Sequence, residues 1–124
     1  ETRMGVTYTE TVVKRKASLK QFVDITSTNA AKLFGLYPRK GIIATGSDAD
    51  ITIIDPSIKK TLSMDDLHLE DYSIWEGWNI VGWPITTILR GRIIICDGNL
   101  NENAPHGQLI RRNISHEILE RPLC

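Results

Sequence analysis

The amino-acid sequence predicts an α+β fold in which helices come first and β-strands follow. Apolar residues recur at helical spacing up to Gly35, whereas alternating β-branched residues dominate from Ile42 onwards. Between the two patterns lies a run rich in turn residues at positions 37–41. We therefore predict a structural boundary near residue 38.

Size, charge and cysteine content limit the classes of protein. With 124 residues, the chain is long enough for one modest core. Fifteen basic residues balance fifteen acidic ones, so its charge favours neither nucleic acid nor an anionic membrane as partner. No apolar run approaches the roughly 20 residues that span a bilayer, and no signal-peptide pattern is present. Cys96 and Cys124 are far apart without CxxC spacing, so we expect a reducing, cytoplasmic location.

A first helix is predicted over residues 1–16. Met4, Tyr8 and Val12 form an apolar stripe at i, i+4 and i+8. The basic triplet at 14–16 suits a helix C-terminus, where cations interact favourably with the helix dipole. A basic run also occurs at nucleic-acid contacts, but one short run in a neutral chain favours a solvated helix end.

Two more helices are predicted before Gly35. Ser18 and Gln21 have the spacing of a capping box, and Ser27 or Thr28 is placed to cap a third, short helix. Gly35 suits the end of that helix because glycine accepts the left-handed conformation. The predicted apolar faces are Leu19, Phe22 and Val23, then Ala30, Ala31, Leu33 and Phe34.

The stretch 46–56 predicts the central strand of the fold, over residues 49–55. A polar turn precedes an apolar, β-rich run, and Pro56 follows as a stop. Ile51 and Ile54 point to opposite faces of such a strand. Because both faces carry apolar groups, we expect the strand inside a sheet rather than at its edge.

The other predicted elements are shorter. Arg90-Gly91 predicts the turn of a hairpin, and Asp97-Gly98 predicts a second turn. The predicted elements are a short strand at 42–44, a weaker strand at 59–64, the hairpin strands 85–89 and 93–96, and a final helix at 115–119.

Asp48, Asp50 and Asp55 flank the central strand and are the first candidates for a metal or catalytic site. Paired carboxylates bind hard cations and exchange protons. The same residue type forms turns by accepting hydrogen bonds from nearby backbone amides, and we favour that interpretation.

Histidine and cysteine supply no clear site. His68, His106 and His116 show neither an HxH pair nor an HExxH helix. Cys96 and His106 could form a catalytic dyad, but the sequence shows no third residue at a recognisable spacing that would orient the pair. Since phosphate-binding glycine loops and a nucleophile elbow are also absent from the sequence, we predict no catalytic, substrate-binding or metal-binding residue within this chain.

Aromatic residues cluster at Tyr72, Trp75, Trp78 and Trp83. Such clusters stack sugars or bases in some binding proteins. More often they cover a sheet, with each indole N–H bonded to an acceptor, and we favour that structural interpretation.

Several of these segments together resemble a known family. Residues 26–40, followed by 41–56, resemble the C-terminal region of the cyclic amidohydrolases, specifically the hydantoinases and dihydropyrimidinases. The run from Gly82-Trp83-Pro84 to Asp97-Gly98 resembles the same region, and so does the segment 107–112. The resemblance extends over nearly the whole chain to Arg112.

The resemblance implies a fold and a division of the chain. In that family a TIM-type barrel lies beside a small β-sandwich built from both ends of the chain. Residues 1–37 would be the last helices of the barrel, 38–98 the C-terminal strands of the sandwich, and 99–124 a tail. Glu1 would lie just downstream of the active site, and the first residue's not being methionine agrees with a missing upstream part.

The resemblance also implies an activity and partners. The whole protein would hydrolyse the ring amide of a hydantoin or dihydropyrimidine with two zinc ions, whose ligands all belong to the missing part. This segment would be inactive alone, would hold no cofactor, and would pack on the rest of the amidohydrolase chain. Its tail around Leu109, Ile110 and Arg111 would contact another subunit of a homo-oligomer, since an apolar-basic run in a polar tail is otherwise unexplained.

Two alternatives remain open from the sequence. One is a catalytically inactive, dihydropyrimidinase-related protein in which the same fold serves assembly. The other is an independent β-rich binding module that uses Trp75, Trp78 and Trp83.

Overall fold

A computed structural model describes residues 1–68, 71–101 and 107–120 of the chain. Helices come first and an antiparallel sheet follows, so the predicted α+β order is confirmed. None of the helices in these residues is long and apolar enough to cross a membrane. The elements are α1 (Arg3–Tyr8), α2 (Leu19–Val23), α3 (Asn29–Leu33), β1 (Ile51–Thr61), β2 (Asn79–Leu89), β3 (Arg92–Cys96), β4 (Asn99–Leu100) and α4 (His116–Glu120).

The helix predicted for residues 1–16 occupies residues 3–14. It begins as α1 and continues without a break as π-helical turns over Thr9–Lys14, and we call the whole the first helix. Lys14 and Arg15 at its end both pair with Glu10, as expected for a solvated helix terminus. Its fully buried residues are Gly5, Val6 and Thr9, whereas the predicted stripe of Met4, Tyr8 and Val12 is only partly buried.

The second and third predicted helices are one continuous helix over residues 19–33, here called the second helix. Its α-helical ends are joined by π-helical turns at Asp24–Thr28. Ser18 caps it as predicted: its hydroxyl oxygen accepts from the Gln21 N–H, and the Gln21 side chain accepts from the Ser18 N–H at 2.9 Å. The predicted cap at Ser27 or Thr28 is wrong, because the chain is already helical there. The Thr28 hydroxyl instead donates to the Gly41 carbonyl at 2.8 Å.

The second helix ends at Leu33 with Phe34 as its C-cap, and Gly35 follows as the left-handed residue that stops it, as predicted. The Leu36 N–H donates to the Ala31 carbonyl and the Gly35 N–H to the Lys32 carbonyl, which is the Schellman arrangement. The Gly35 carbonyl then accepts from the Asn113 N–H at 2.7 Å. This bond anchors the tail against the end of the second helix.

The sheet has the order β1-β2-β3-β4, and all its neighbours are antiparallel. Among the residues that the structure describes, β1 is therefore an edge strand, and the prediction of an interior strand is wrong for this sheet. Ile53 is accordingly 45% exposed. The separate short strand predicted at 42–44 is also wrong, because those residues form an irregular loop.

Pro56 does not end β1, contrary to the prediction. Pairing with β2 passes from Asp55 directly to Lys59, so the three residues between them bulge out of the ladder. Proline is tolerated at a bulge because its missing N–H breaks no ladder bond there. The strand predicted at 59–64 is consequently the end of β1, up to Thr61.

The predicted hairpin is confirmed as β2 and β3. Arg90 and Gly91 have φ values of 48° and 77°, and positive φ at both central residues is what a type I′ turn requires. β2 begins at Asn79, earlier than the alternating pattern indicated, and β4 follows the Asp97-Gly98 turn. α4 corresponds to the helix predicted at 115–119.

The first helix packs on β2 and forms the core with it. Val6, Leu62 and Ile80 are the buried cluster, and Trp75 and Trp83 pack against it. Beside this cluster, the hydroxyl oxygen of buried Thr9 accepts from the Val81 N–H at 2.9 Å and lies 2.8 Å from the Gly5 carbonyl oxygen. Helix and sheet are thus joined by apolar contacts and by one buried hydroxyl.

Candidate functional site

The aspartates before β1 belong to an ion-pair cluster centred on Lys40. Its ammonium lies 2.8 Å from Asp48 Oδ2 and also contacts Asp50 Oδ2. Arg39 Nε donates to Asp48 Oδ2 at 2.9 Å, and Asp50 Oδ1 accepts from the Arg90 N–H at 2.8 Å. The Lys40 cluster therefore connects the loop before β1 to the β2–β3 turn.

The Lys40 cluster holds its members in their charged forms. Burial lowers the pKa of Lys40, but hydrogen bonds to Asp48 and Asp50 outweigh it and raise the pKa above 10.5. Hydrogen bonds from Lys40 and Arg39 lower the pKa of Asp48. Burial raises the pKa of Asp50, but bonds from Lys40 and the Arg90 N–H outweigh it and lower the pKa. General acid–base catalysis needs a pKa near the working pH, so these groups are suited to fastening the loop and not to proton transfer.

Asp55 forms a hydrogen-bonded turn with Ser57, which confirms the turn interpretation of this residue. Its Oδ1 accepts from the Ser57 N–H at 2.8 Å and from the Ser57 hydroxyl at 2.7 Å, and these bonds lower its pKa. Across residues 1–68, 71–101 and 107–120, no group of three or more His, Cys, Asp or Glu side chains could hold a metal ion.

The tryptophans cover the core of the sheet. Trp75 and Trp83 pack against the buried cluster, and the rings of Trp75 and Trp78 meet edge to face with centroids 4.7 Å apart. Lys60 Nζ lies 4.0 Å from the centroid of Trp83, and Lys14 Nζ lies 5.5 Å from that of Trp78. Two of the three tryptophan rings, those of Trp78 and Trp83, therefore have a lysine over one face, which favours a structural role over ligand stacking.

The histidines do not converge where the structure describes them. His68 Nδ1 lies 2.5 Å from Glu1 Oε1, and the His68 N–H donates to Glu1 Oε2 at 2.7 Å. His116 is exposed in α4, and Cys96 is exposed in β3. His106 lies outside the described residues, so the Cys96–His106 pair stays an untested alternative.

The structure shows a concave feature between helices and sheet that the sequence did not predict. A cleft of about 350 Å³ lies between the first helix, the second helix, the loop at 40–43 and β1, and we call it the helix–strand cleft. Its lining comes from four separate segments, so no local pattern marks it. Its apolar residues are Met4, Phe22, Val23, Ile42, Ile43, Ile51 and Ile54, and its charged residues are Arg3, Lys40, Asp48 and Asp50.

Comparison with known proteins identifies a family to which this chain is similar. The family model described as "Amidohydrolase family" matches residues 1–94. The D-hydantoinase of Geobacillus stearothermophilus is 40% identical over 113 residues, which cover 90% of this chain and 24% of that protein. The D-phenylhydantoinase of Escherichia coli O1:K1 / APEC is 42% identical over the same shares of the two chains.

Solved structures of hydantoinases also superpose on this chain. D-hydantoinase from Bacillus sp. AR9 superposes with a TM-score of 0.84 at 44% identity, over 91% of this chain and 25% of that one. L-hydantoinase (dihydropyrimidinase) from Arthrobacter aurescens superposes with a TM-score of 0.73 at 34% identity, over 78% of this chain and 22% of that one. The chain thus spans about a quarter of the length of the relatives it matches.

Proposed function

The chain belongs to the amidohydrolase family, and on that premise we propose that it is the C-terminal structural segment of a longer enzyme, the parent protein. The parent protein would hydrolyse the ring amide of hydantoins or dihydropyrimidines. The observation that carries this proposal is the similarity to hydantoinases over 90% of the chain at 40% identity. The segment alone would be inactive.

The proposal assigns each part of the chain to one domain of the parent protein. Residues 1–37 would be the last helices of a TIM-type barrel, and 38–98 would be the C-terminal part of a small β-sandwich. In the described residues, the helices α1, α2 and α3 lie before residue 34 and the strands lie after residue 50, which is compatible with that division. The segment would fasten barrel to sandwich through the buried contact of the first helix with β2.

Zinc belongs to the proposal for the parent protein, because the described residues of this chain do not fit a metal ion. Asp48 and Asp50 already pair with Lys40, and Asp55 accepts both polar hydrogens of Ser57. The two zinc ions implied by the family resemblance would therefore be held by the rest of the chain. What these side chains do instead is keep the loop before β1 in place.

The tail is proposed to contact a second subunit. Leu109 is 93% exposed, although the neighbouring tail backbone is anchored by the bond from Asn113 to Gly35. An apolar side chain so placed gains free energy when a partner removes it from water. We expect Leu109→Asp to lower the oligomeric state of the parent protein in light scattering after size exclusion. Leu100→Asp, at a leucine 66% exposed in β4, is the control and should not change it.

The experiment that tests the function uses the full-length protein from its source. Its intact mass, its zinc content and its hydrolysis of dihydrouracil and hydantoin are measured together. A mass about four times that of this chain, with about two zinc ions and ring opening, is the expected result. A protein of this chain's own mass with no zinc and no activity would overturn the proposal.

The same measurements separate the two alternatives. A long, oligomeric protein without zinc or hydrolysis would identify the inactive assembly relative. A short, monomeric protein whose tryptophan fluorescence responds to a sugar or nucleotide would identify the binding module. The lysines over Trp78 and Trp83 do not favour the second outcome.

A further inference from the structure

The helix–strand cleft exposes apolar side chains that lie close together in space. Val23 of the second helix is 47% exposed, Ile42 is 40% exposed and Ile43 is 83% exposed, and all three line the cleft. Isolated exposed apolar residues are ordinary on a protein surface, but a contiguous group around a concavity marks a binding surface.

The chemistry of the cleft favours an uncharged occupant. Lys40 pairs with both Asp48 and Asp50. Arg3 is the fourth charged residue of the lining, so the formal charges of the lining add up to zero. A charged ligand would therefore find no net attraction there. The remaining lining is mainly aliphatic, from Met4 and Val23 to Ile51 and Ile54.

The exposure of Ile43 distinguishes a polypeptide from a small molecule. With 83% of its surface in water, Ile43 stands at the rim of the cleft and not in its floor. A small molecule in the floor would leave this side chain exposed, whereas a packed chain segment would cover rim and floor together. In addition, β1 borders the cleft and has no strand on its outer side within the described sheet, so a polypeptide could also bond to its backbone.

The similarity to longer proteins indicates which polypeptide would occupy the cleft. All the lining residues fall within residues 1–94, the part that matches the family, and the matched relatives are about four times longer than this chain. We propose that the helix–strand cleft is the docking site for an apolar segment from the remaining three quarters of the parent protein, with Ile43 and Val23 as its main anchors. This inference rests on the proposed function, because it requires a parent protein.

The test measures cysteine reactivity in the full-length protein. Ile43→Cys and Val23→Cys are labelled with N-ethylmaleimide under native and unfolding conditions, and peptide mass spectrometry locates the label. Glu76→Cys is the matched control, because Glu76 is exposed in the turn before β2, does not line the cleft and is not part of β1. We expect native labelling at Ile43→Cys and Val23→Cys to be at least tenfold slower than at Glu76→Cys, after each rate is divided by that of the unfolded protein.

Two outcomes would overturn the inference. One is labelling of both cleft cysteines within twofold of the control. The other is protection that disappears on dilution to the monomer, which would assign the cleft to a second copy of the chain. Hydrolysis by the wild-type protein is measured separately: its absence counts against the proposed function, whereas unprotected cleft cysteines in an active enzyme count against this inference alone.

Discussion

At the scale of single residues, the junction of helix and sheet depends on small side chains that have no apolar pattern. A Cβ atom on Gly5 would lie 2.8 Å from Trp83 Cε3, and one on Gly82 would lie 2.5 Å from Tyr8 Cδ1. Thr9 is only 3% exposed, and its hydroxyl oxygen accepts a hydrogen bond from the Val81 N–H. The first helix can approach β2 this closely because Gly5 and Gly82 have no side chains at the contact and because the Thr9 hydroxyl bonds to the backbone of β2.

Gly82→Ala should be much more destabilising than Gly46→Ala. The two glycines have similar φ values of 85° and 90°, but nothing lies within 4 Å of a Cβ on Gly46. Gly46→Ala should therefore cost only the left-handed backbone strain, about 1–2 kcal/mol. Gly82→Ala adds the overlap with Tyr8, about 1–3 kcal/mol more. Urea unfolding of the full-length protein measures both, and equal losses would contradict the close helix–sheet contact.

At the scale of elements, helix caps and turns have short sequence patterns, whereas breaks between elements do not. Ser18 with Gln21 and Arg90 with Gly91 act where the sequence predicted them. The predicted separation of the second helix is wrong because π-helical turns carry the chain through 24–28 without a new cap. Likewise β1 passes Pro56 because a bulge absorbs the proline.

Ser18→Ala should destabilise the second helix, and Ser27→Ala should not. Loss of the cap leaves the Gln21 N–H without its partner and should cost about 1 kcal/mol in free energy of unfolding. Ser27 lies within the continuous helix, where alanine is the better helix former, so its substitution should be neutral or slightly stabilising. Thermal unfolding of the two variants measures the difference. A similar loss of stability in Ser27→Ala would indicate that Ser27 caps a separate helix, as the sequence predicted.

Acid should weaken the Lys40 cluster. The pKa values of Asp48 and Asp50 are lowered in the folded protein, so their contribution to stability is present above the unfolded value of about 3.9. It is lost as the pH falls through the lowered folded values. Asp50→Asn should therefore reduce stability at pH 7 and flatten its decline below about pH 4. Urea unfolding between pH 7 and pH 3 measures this, with Asp65→Asn, outside the cluster, expected to keep the wild-type profile.

Over the whole molecule, the described surface is unusually apolar and the sheet has an open edge. Large apolar side chains are widely exposed, from Leu19 and Leu33 to Ile43 and Leu109, while the fully buried cluster is small. Within the described sheet, β1 also leaves one edge of 11 residues unpaired. Both features agree with a segment that is completed by a longer protein.

The isolated chain should therefore self-associate and show no ring-opening activity. Exposed apolar area and an open strand edge both favour association between copies. Size-exclusion chromatography with light scattering of the purified 124-residue chain, and assay with hydantoin, measure the two properties. The full-length protein is the positive control for activity. A stable, monodisperse monomer would contradict the reasoning from exposure, and hydrolysis by the isolated chain would contradict the placement of the site elsewhere.

Five features were predictable from the sequence alone: the order of helices and strands, the capping box, the helix end before Gly35, the β2–β3 turn and the family. Each of these depends on residues that are neighbours along the chain or on a long ordered match, so it can be recognised without coordinates. Three other features became visible only in the folded chain. Lys40 pairs with Asp48 and Asp50, and Asp50 also accepts from the Arg90 N–H; Thr9 is buried against Val81; and four segments enclose the helix–strand cleft. Those contacts join residues far apart in sequence, and they arise when packing brings helix, loop and sheet together.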